Sequence, residues 1–236
     1  MNEKPEPRDS KIRVFVVDDH PIVIRGLNLL INQEPDILVC GEADNGPAAL
    51  QKIIELKPDV AIVDLSLKGS NGLELIKQLR QQSQKVKLLV FSMRAESIFA
   101  ERALRAGANG YLTKEEGPEK AIEAIRTVMR GKRYLSRRIA EWLLENMAGT
   151  RTSGDSPIDS LSDRELEVLE LLGQGLGSRD VAERIGVSIK TVESHRENIK
   201  SKLGLRSASE LLAYAFNWLH GNESQQPPEI PDDVGL

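Results

Sequence analysis

The sequence predicts a five-stranded, doubly wound parallel α/β sheet followed by an all-α domain of four helices. Between residues 12 and 131, five short β-branched runs alternate with five stretches of helical period, the pattern of a parallel sheet with helices on both faces. From residue 161 onwards only helical periodicity follows. Residues 148–158 are rich in Gly, Ser, Thr, Asp and Pro, a composition typical of a flexible boundary between domains.

The predicted strands are short, and three of them are continuous apolar runs, which indicate strands buried on both faces of a sheet. Turn signals such as Asn45-Gly46 and Lys57-Pro58 separate strands from helices. The predicted strands are Arg13–Val17, Ile37–Cys40, Val60–Val63, Lys87–Phe91 and Gly110–Leu112. The predicted helices are Ile22–Asn32, Pro47–Leu56, Gly72–Gln82, Glu96–Ala106 and Pro118–Met129.

Four segments are expected along the chain. Residues 12–131 form the α/β domain, 132–160 a helical and flexible linker with a helix at Ser136–Met147, 161–220 the helical domain, and 221–236 a disordered tail. Each helix of the second domain begins at a serine, a residue type that caps helices. The predicted helices are Asp163–Gln174 with a Ser162/Glu165 capping box, Arg179–Ile185 capped by Ser178, Ile189–Leu203 capped by Ser188, and Ser207 to about His220.

Composition excludes several classes of protein. The 236 residues carry a net charge of −4, and no apolar run is long enough to cross a membrane, so we expect no membrane insertion. The first ten residues are polar and lack the apolar centre of a signal peptide, so a cytoplasmic protein is expected. The single cysteine, Cys40, excludes a disulfide framework and a multi-cysteine zinc site, and we expect a buried thiol.

Polar side chains stand at the carboxyl ends of four predicted strands. Asp18 and Asp19 follow the first strand, Asp64 the third, Ser92 the fourth and Lys114 the fifth. The carboxyl ends of parallel strands meet at one edge of the sheet, where sites form. Clustered carboxylates favour Mg²⁺, and an aspartate is a competent nucleophile towards phosphorus. Any one strand-end aspartate is more simply a helix cap, but the whole set favours a site.

Residues 12–130 resemble a response-regulator receiver domain, which has a flavodoxin-like fold. The matching stretches are VVDDHPIVIRGL, VDLSLKGSNGLELI and the segment from LLVFSM to AGANGYLTK. The resemblance implies a sensor histidine kinase or phosphotransfer protein as phosphodonor. It also implies roles for seven residues: Asp64 as phospho-acceptor, Asp18, Asp19 and Asp64 with the main-chain carbonyl of Ser66 as Mg²⁺ ligands, Ser92 as switch hydroxyl, Tyr111 as switch aromatic and Lys114 as phosphate-binding lysine.

The chain departs from the usual receiver pattern in two loops. Leu67-Lys68 stands where the family usually has Met-Pro, and Glu115 stands where a proline often follows the lysine. Neither position is a phosphate ligand in the family. His20, next to the acidic pair, is expected to be a helix-start residue, and Tyr111 can equally be an ordinary aromatic at the edge of the core.

The helical domain has the form of a helix-turn-helix, with Val181–Ile185, a glycine turn and a second helix from Ile189. At 100° per residue, Val192, Ile199 and Leu203 form the core stripe, and His195 lies beside it. The opposite face carries Lys190, Ser194, Glu197, Asn198 and Ser201. Over residues 161–210, eight basic residues face nine acidic ones, so weak DNA binding by the monomer is expected. A protein-interaction module is the alternative for such a bundle.

Residues 161–216 resemble the LuxR-type helix-turn-helix, in the receiver-linked arrangement of the NarL/FixJ group. The matching stretches are LSDRELEVLELLGQG and SRDVAERIGVSIKTVESHRENIKSKLG, followed by the last helix. The resemblance implies binding to double-stranded DNA. The residues expected at DNA are Lys190, Thr191, Ser194, Glu197, Asn198, Lys200, Ser201, Lys202 and Arg206, with Lys200, Lys202 and Arg206 at phosphates.

Together the two resemblances imply a two-component response regulator and not an enzyme. We expect phosphorylation of Asp64 to draw Ser92 and then Tyr111 inward and to promote a DNA-binding homodimer, with apolar residues of the last helix at the interface or closing the core. One rival is an aspartate-nucleophile phosphatase, which usually has a second Asp where Ser66 stands. The other is a phosphorylation-independent DNA-binding or interaction protein, which would not need the complete acidic set.

Overall fold

A computed structural model of the chain describes residues 11–82, 85–137, 139–141 and 157–220. The chain separates into two compact units, Met1–Thr152 and Ser153–Leu236, and each is described by itself. Within the described residues, no helix combines the length and apolarity that a membrane crossing needs.

The first unit is a five-stranded parallel sheet with the strand order β2-β1-β3-β4-β5, which confirms the predicted doubly wound sheet. Strands β1, β3 and β4 are buried almost throughout because helices cover both faces. The strands are β1 (Ile12–Val17), β2 (Ile37–Ala43), β3 (Val60–Val63), β4 (Lys87–Ser92) and β5 (Gly110–Thr113). The helices are α1 (Pro21–Gln33), α2 (Gly46–Leu56), α3 (Gly72–Gln82), α4 (Glu96–Ala106) and α5 (Glu119–Met129).

Strand β2 is longer than the sequence pattern indicates. It continues through Gly41 and Glu42 to Ala43, and its register against β1 shifts between Val14 and Phe15. Because β2 is an edge strand, Cys40 is only half-buried, and the expectation of a fully buried thiol was wrong.

The outer edge of β5 is covered by the chain segment that follows α5. We call Tyr134–Ser136 the edge strap. The backbone N–H of Tyr111 donates to the carbonyl of Tyr134 at 2.8 Å, and the N–H of Tyr134 donates to the carbonyl of Asn109 at 3.2 Å. The N–H of Ser136 donates to a carboxylate oxygen of Glu96 at 2.9 Å. The strap therefore closes the β5 edge and holds the first linker residues on β5 and α4.

The predicted helix at Ser136–Met147 lies only partly within the described residues. The N–H of Ala140 donates to the carbonyl of Ser136 at 3.0 Å, as in a first helical turn, and Ile139 is buried. The rest of this predicted helix lies outside the described residues. So do the predicted flexible segment after it and the predicted C-terminal tail.

Within residues 157–220, the second unit has a 3-10 helix at Pro157–Ser160 and four α-helices: α6 (Asp163–Gly173), α7 (Ser178–Ile185), α8 (Ile189–Leu203) and α9 (Ala208–His220). The predicted Ser162/Glu165 capping box and the Ser188 cap are confirmed. The predicted Ser178 cap was wrong, because Gly177 is the N-cap of α7 and the Ser178 hydroxyl binds the guanidinium of Arg196 instead.

We predict that Gly110→Ala dislodges the edge strap. A Cβ at this position would lie 2.7 Å from the Tyr134 carbonyl oxygen and 2.9 Å from its Cβ, so backbone must move. We expect a loss of about 1–3 kcal/mol in unfolding free energy and faster hydrogen exchange at the Tyr111 amide. Gly26→Ala is the matched control, since nothing lies within 4 Å of its Cβ. Unchanged exchange at Tyr111 in Gly110→Ala would show that the strap does not protect this amide.

Candidate functional site

Asp64 lies at the carboxyl end of β3, and its carboxylate is only 2% exposed. Its Oδ1 accepts hydrogen bonds from the Ser92 hydroxyl at 2.6 Å and from the backbone N–H of Ser66 at 3.1 Å. Its Oδ2 accepts from the Lys114 ammonium at 2.6 Å. The carboxylate of Asp64, the hydroxyl of Ser92 and the ammonium of Lys114, from the ends of β3, β4 and β5, therefore lie in contact.

Lys114 joins two carboxylates across the sheet. Its Nζ lies 2.6 Å from an oxygen of Asp64 and 2.6 Å from an oxygen of Asp18, and the lysine side chain is only 9% exposed. Burial alone lowers the pKa of Lys114, but the charges and hydrogen bonds of Asp64 and Asp18 more than offset this, so the pKa lies above its ordinary value. Burial and the neighbouring charge of Asp64 raise the pKa of Asp18.

The acidic group has the donors that a hard divalent cation takes. Ligand atoms of Asp18, Asp19, His20 and Asp64 all lie within 4.8 Å of one another. Asp19 Oδ2 accepts from the backbone N–H of Lys68, while its buried Oδ1 makes no hydrogen bond and lies 2.8 Å from His20 Nδ1. Oxygen-rich sets of two or three carboxylates suit Mg²⁺, so these residues fit the ion that the receiver resemblance implies.

The two expected switch residues occupy inward positions. The Ser92 side chain is buried against Asp64, and Tyr111 is 1% exposed. The Tyr111 hydroxyl donates to the carbonyl of Arg94 at 2.9 Å, and the backbone N–H of Arg94 donates to Ser92 Oγ at 3.4 Å. Tyr111 is therefore linked to Asp64 through hydrogen bonds by way of Arg94 and Ser92.

Sequence reasoning missed Arg94. This arginine is 5% exposed, its Nε donates to Ser66 Oγ at 3.0 Å, and its guanidinium carbon lies 4.9 Å from the ring centroid of Phe99. It joins the loop after β3 to the loop after β4 and to α4. The only local signal was a charged residue two positions after a strand-end serine, and no periodicity marks such a residue as buried.

The second unit presents the polar face of α8 as predicted. Val192 and Ile199 are fully buried, His195 is half-buried, and Glu197 has a 68% exposed side chain. Apart from the three residues expected at phosphates, the residues expected at DNA are all exposed: Lys190, Thr191, Ser194, Glu197, Asn198 and Ser201.

Two of the three residues expected at phosphates are held in ion pairs. Lys200 Nζ lies 2.9 Å from Glu197, and Lys202 Nζ lies 2.6 Å from Glu165. Among the residues that the structure describes, the Arg206 guanidinium has no ion pair. The charges of Lys200 and Lys202 on α8 are therefore partly neutralised by glutamates of the protein. The count of basic and acidic residues in the sequence does not show this pairing.

Two family models match the chain. The one described as the response regulator receiver domain matches residues 14–126, and the one described as bacterial regulatory proteins, luxR family, matches residues 159–215. The chain is 36% identical over 210 residues to the oxygen regulatory protein NreC of Staphylococcus haemolyticus, covering 87% of this chain and 97% of that protein.

Solved structures of two-domain regulators are also similar. The RcsB response regulator of Salmonella typhimurium is 26% identical with a TM-score of 0.65, covering 89% of this chain and 98% of that one. RcsB from Salmonella enterica serovar Typhimurium, bound to promoter rprA in the presence of the phosphomimetic BeF3−, is 26% identical with a TM-score of 0.61, covering 87% and 98%.

We predict a pH-dependent stability contribution from the Glu165–Lys202 pair. Burial raises the pKa of Glu165, but hydrogen bonds from Lys202 and Ser162 outweigh it and lower the pKa. Such a group stabilises the fold fully above the ordinary carboxyl pKa of about 4.3, and the contribution is lost as pH falls through the lowered folded-state pKa. Because Lys202 is partly exposed, we expect Glu165→Gln to cost about 1 kcal/mol at neutral pH.

The measurement is urea unfolding of the full chain, followed through the NMR signals of α8, at pH 7 and at pH values below about 4. Glu193→Gln is the matched control, since its exposed carboxylate pairs only at 3.4 Å with Arg196. A difference between wild type and Glu165→Gln that stays constant with pH would show that the pair does not supply it.

Proposed function

Because this chain belongs to the LuxR family of response regulators, we propose that a phosphoryl group on Asp64 controls its binding to DNA. The observation that carries the proposal is the convergence of Lys114, Ser92 and the Ser66 amide on the Asp64 carboxylate, beside Asp18 and Asp19. We assign residues 12–131 to the receiver domain, 132–160 to the linker and 161–220 to the DNA-binding domain.

The chemical step is transfer of a phosphoryl group to Asp64. A carboxylate oxygen forms a bond to phosphorus, and the bond from phosphorus to the donor breaks, a P–N bond for a phosphohistidine and a P–O bond for acetyl phosphate. The bonding electron pair stays with the leaving group. The donor is a cognate sensor histidine kinase or a phosphotransfer protein in the cytoplasm.

The residues around Asp64 supply the positive charge and the hydrogen bonds that a phosphoryl group needs. Asp18, Asp19, Asp64 and the main-chain carbonyl of Ser66 would hold Mg²⁺, which would supply positive charge for the phosphoryl oxygens. The Lys114 ammonium and the Ser92 hydroxyl already lie at the two Asp64 oxygens, so both can follow the phosphoryl group with little movement. No second aspartate stands where Ser66 lies, which disfavours turnover as an aspartate-nucleophile phosphatase.

The switch acts through Tyr111 and the loop after β4. Ser92 contacts Asp64 directly, and Arg94 contacts both Ser92 and Tyr111. A phosphoryl group changes what Ser92 and Lys114 bind, and this differential contact biases the loop between two arrangements. The surface of α4, β5 and α5 changes with it and promotes a homodimer.

DNA binding then requires two copies of the C-terminal domain. The ion pairs of Lys200 and Lys202 leave few unpaired cations on the α8 face, so one domain neutralises few phosphates. Two linked domains add their contacts. A solved structure described as two RcsB dimers bound to two parallel DNAs supports this proposal.

We predict that Asp64 is the sole acceptor. Incubating the full chain with acetyl phosphate and Mg²⁺ should add one phosphoryl group by intact mass, and Asp64→Ala or EDTA should abolish the addition. Asp44→Ala is the matched control, because Asp44 is an exposed aspartate just after β2. Phosphorylation that survives in Asp64→Ala would contradict the assignment.

We also predict that base reading and phosphate contact separate on α8. Glu197→Ala should relax the preference at one or two base pairs by about 1–3 kcal/mol of discrimination. Arg206→Ala should weaken all sites alike and lower the salt slope by about one unit, whereas Lys202→Ala should lower it by less, because Glu165 already pairs with the Lys202 ammonium. Selection from random DNA at several salt concentrations measures both. An unchanged site preference in Glu197→Ala would remove it from the base-reading set.

A further inference from the structure

An isoleucine stands exposed at the start of the second helix of the helix-turn-helix. Ile189 is the first residue of α8 and is 49% exposed. By contrast, Val192 and Ile199 of the same helix are fully buried. Ile189 is therefore the apolar residue that α8 leaves in water.

Folding of α8 does not require an apolar side chain at this position. The N-cap is Ser188, whose hydroxyl accepts from the backbone N–H of Thr191 at 3.1 Å. The two positions of a hydrophobic staple, before the N-cap and at the fourth helical residue, are occupied by Val187 and Val192. The cap is thus in place, and both staple positions hold valines, without Ile189.

The position of Ile189 puts it at the end of α8 that meets base edges. Side chains of a helix tilt towards its N-terminus, so Ile189 extends past the first turn. In a helix-turn-helix, the N-terminal residues of the second helix contact bases in the major groove. Its exposed neighbours Lys190 and Thr191 carry a cation and a hydroxyl, which suit phosphates and polar base atoms.

We propose that Ile189 is a specificity-determining residue that packs on the C5-methyl group of a thymine in the major groove. This inference rests on the proposed DNA binding and names one base that it reads. Thymine presents a methyl group there, where the other bases present hydrogen-bond donors and acceptors. A branched apolar side chain excludes water from that methyl group, and the polar side chains of Lys190 and Thr191 next to it do not.

The test uses deoxyuridine, which lacks only the C5-methyl group of thymidine. Binding sites are first selected from random DNA with the full chain, acetyl phosphate and Mg²⁺, and each thymine of the selected half-site is then replaced singly by deoxyuridine. We expect wild-type affinity to fall about fourfold at one or two positions, the effect of exposing one methyl-sized group. Ile189→Ser should bind thymine and deoxyuridine equally at those positions, and Ile189→Val should keep the difference.

Ile54→Ser is the matched control, because Ile54 is an isoleucine with 38% exposure on α2. It should retain the wild-type thymine preference, and circular dichroism checks that Ile189→Ser is folded. If deoxyuridine costs wild type nothing at any position, or costs Ile189→Ser as much as wild type, the role of Ile189 is overturned while DNA binding stands. If no DNA is enriched at all, the proposed function fails and the role of Ile189 falls with it.

Discussion

The ammonium of Lys114 between Asp18 and Asp64 is the interaction on which the receiver site depends. Three carboxylates from two strand ends meet at one edge, and a buried charge without a partner is costly. Lys114, from beyond β5, lies 2.6 Å from each of two of them and so ties the ends of β1, β3 and β5 together. Under the proposed function the same ammonium would also contact the phosphoryl group, so one residue would both stabilise the unphosphorylated site and respond to its modification.

Paired charge organises the second unit as well, with a different consequence. The Glu165 carboxylate accepts a hydrogen bond in the cap at the start of α6 and also pairs with Lys202 of α8. One side chain therefore caps α6 and holds α8 against it. Lys200 pairs with Glu197 on the surface of α8 itself. A DNA phosphate must compete with these carboxylates for the lysines. Under the proposed function this competition would keep general affinity for DNA low and would leave selectivity to the side chains that contact bases.

The local sequence pattern predicted the strands, helices and strand-end residues of the receiver, but few of its long-range side-chain contacts. Continuous apolar runs located the strands, and parallel topology alone then brought Asp18, Asp64, Ser92 and Lys114 to one edge. The burial of Arg94 depends on Phe99 in α4 and on Ser66 in the loop after β3, and Ser66 is distant in sequence. The pairing of Lys202 with Glu165 likewise depends on how α8 packs on α6. The net charge of the domain includes Glu165 and Lys202, but it does not show that these two side chains form an ion pair.

The edge strap changes where the receiver ends as a folding unit. By regular structure it ends with α5 at Met129, but the backbone of Tyr134 completes the hydrogen bonds of Asn109 and Tyr111. A fragment that ends at Gly131 would leave the Tyr111 N–H and the Asn109 carbonyl without these partners at the β5 edge. Open strand edges of that kind pair with other chains. The first residues of the linker therefore cover a strand edge that would otherwise be free to pair with other chains.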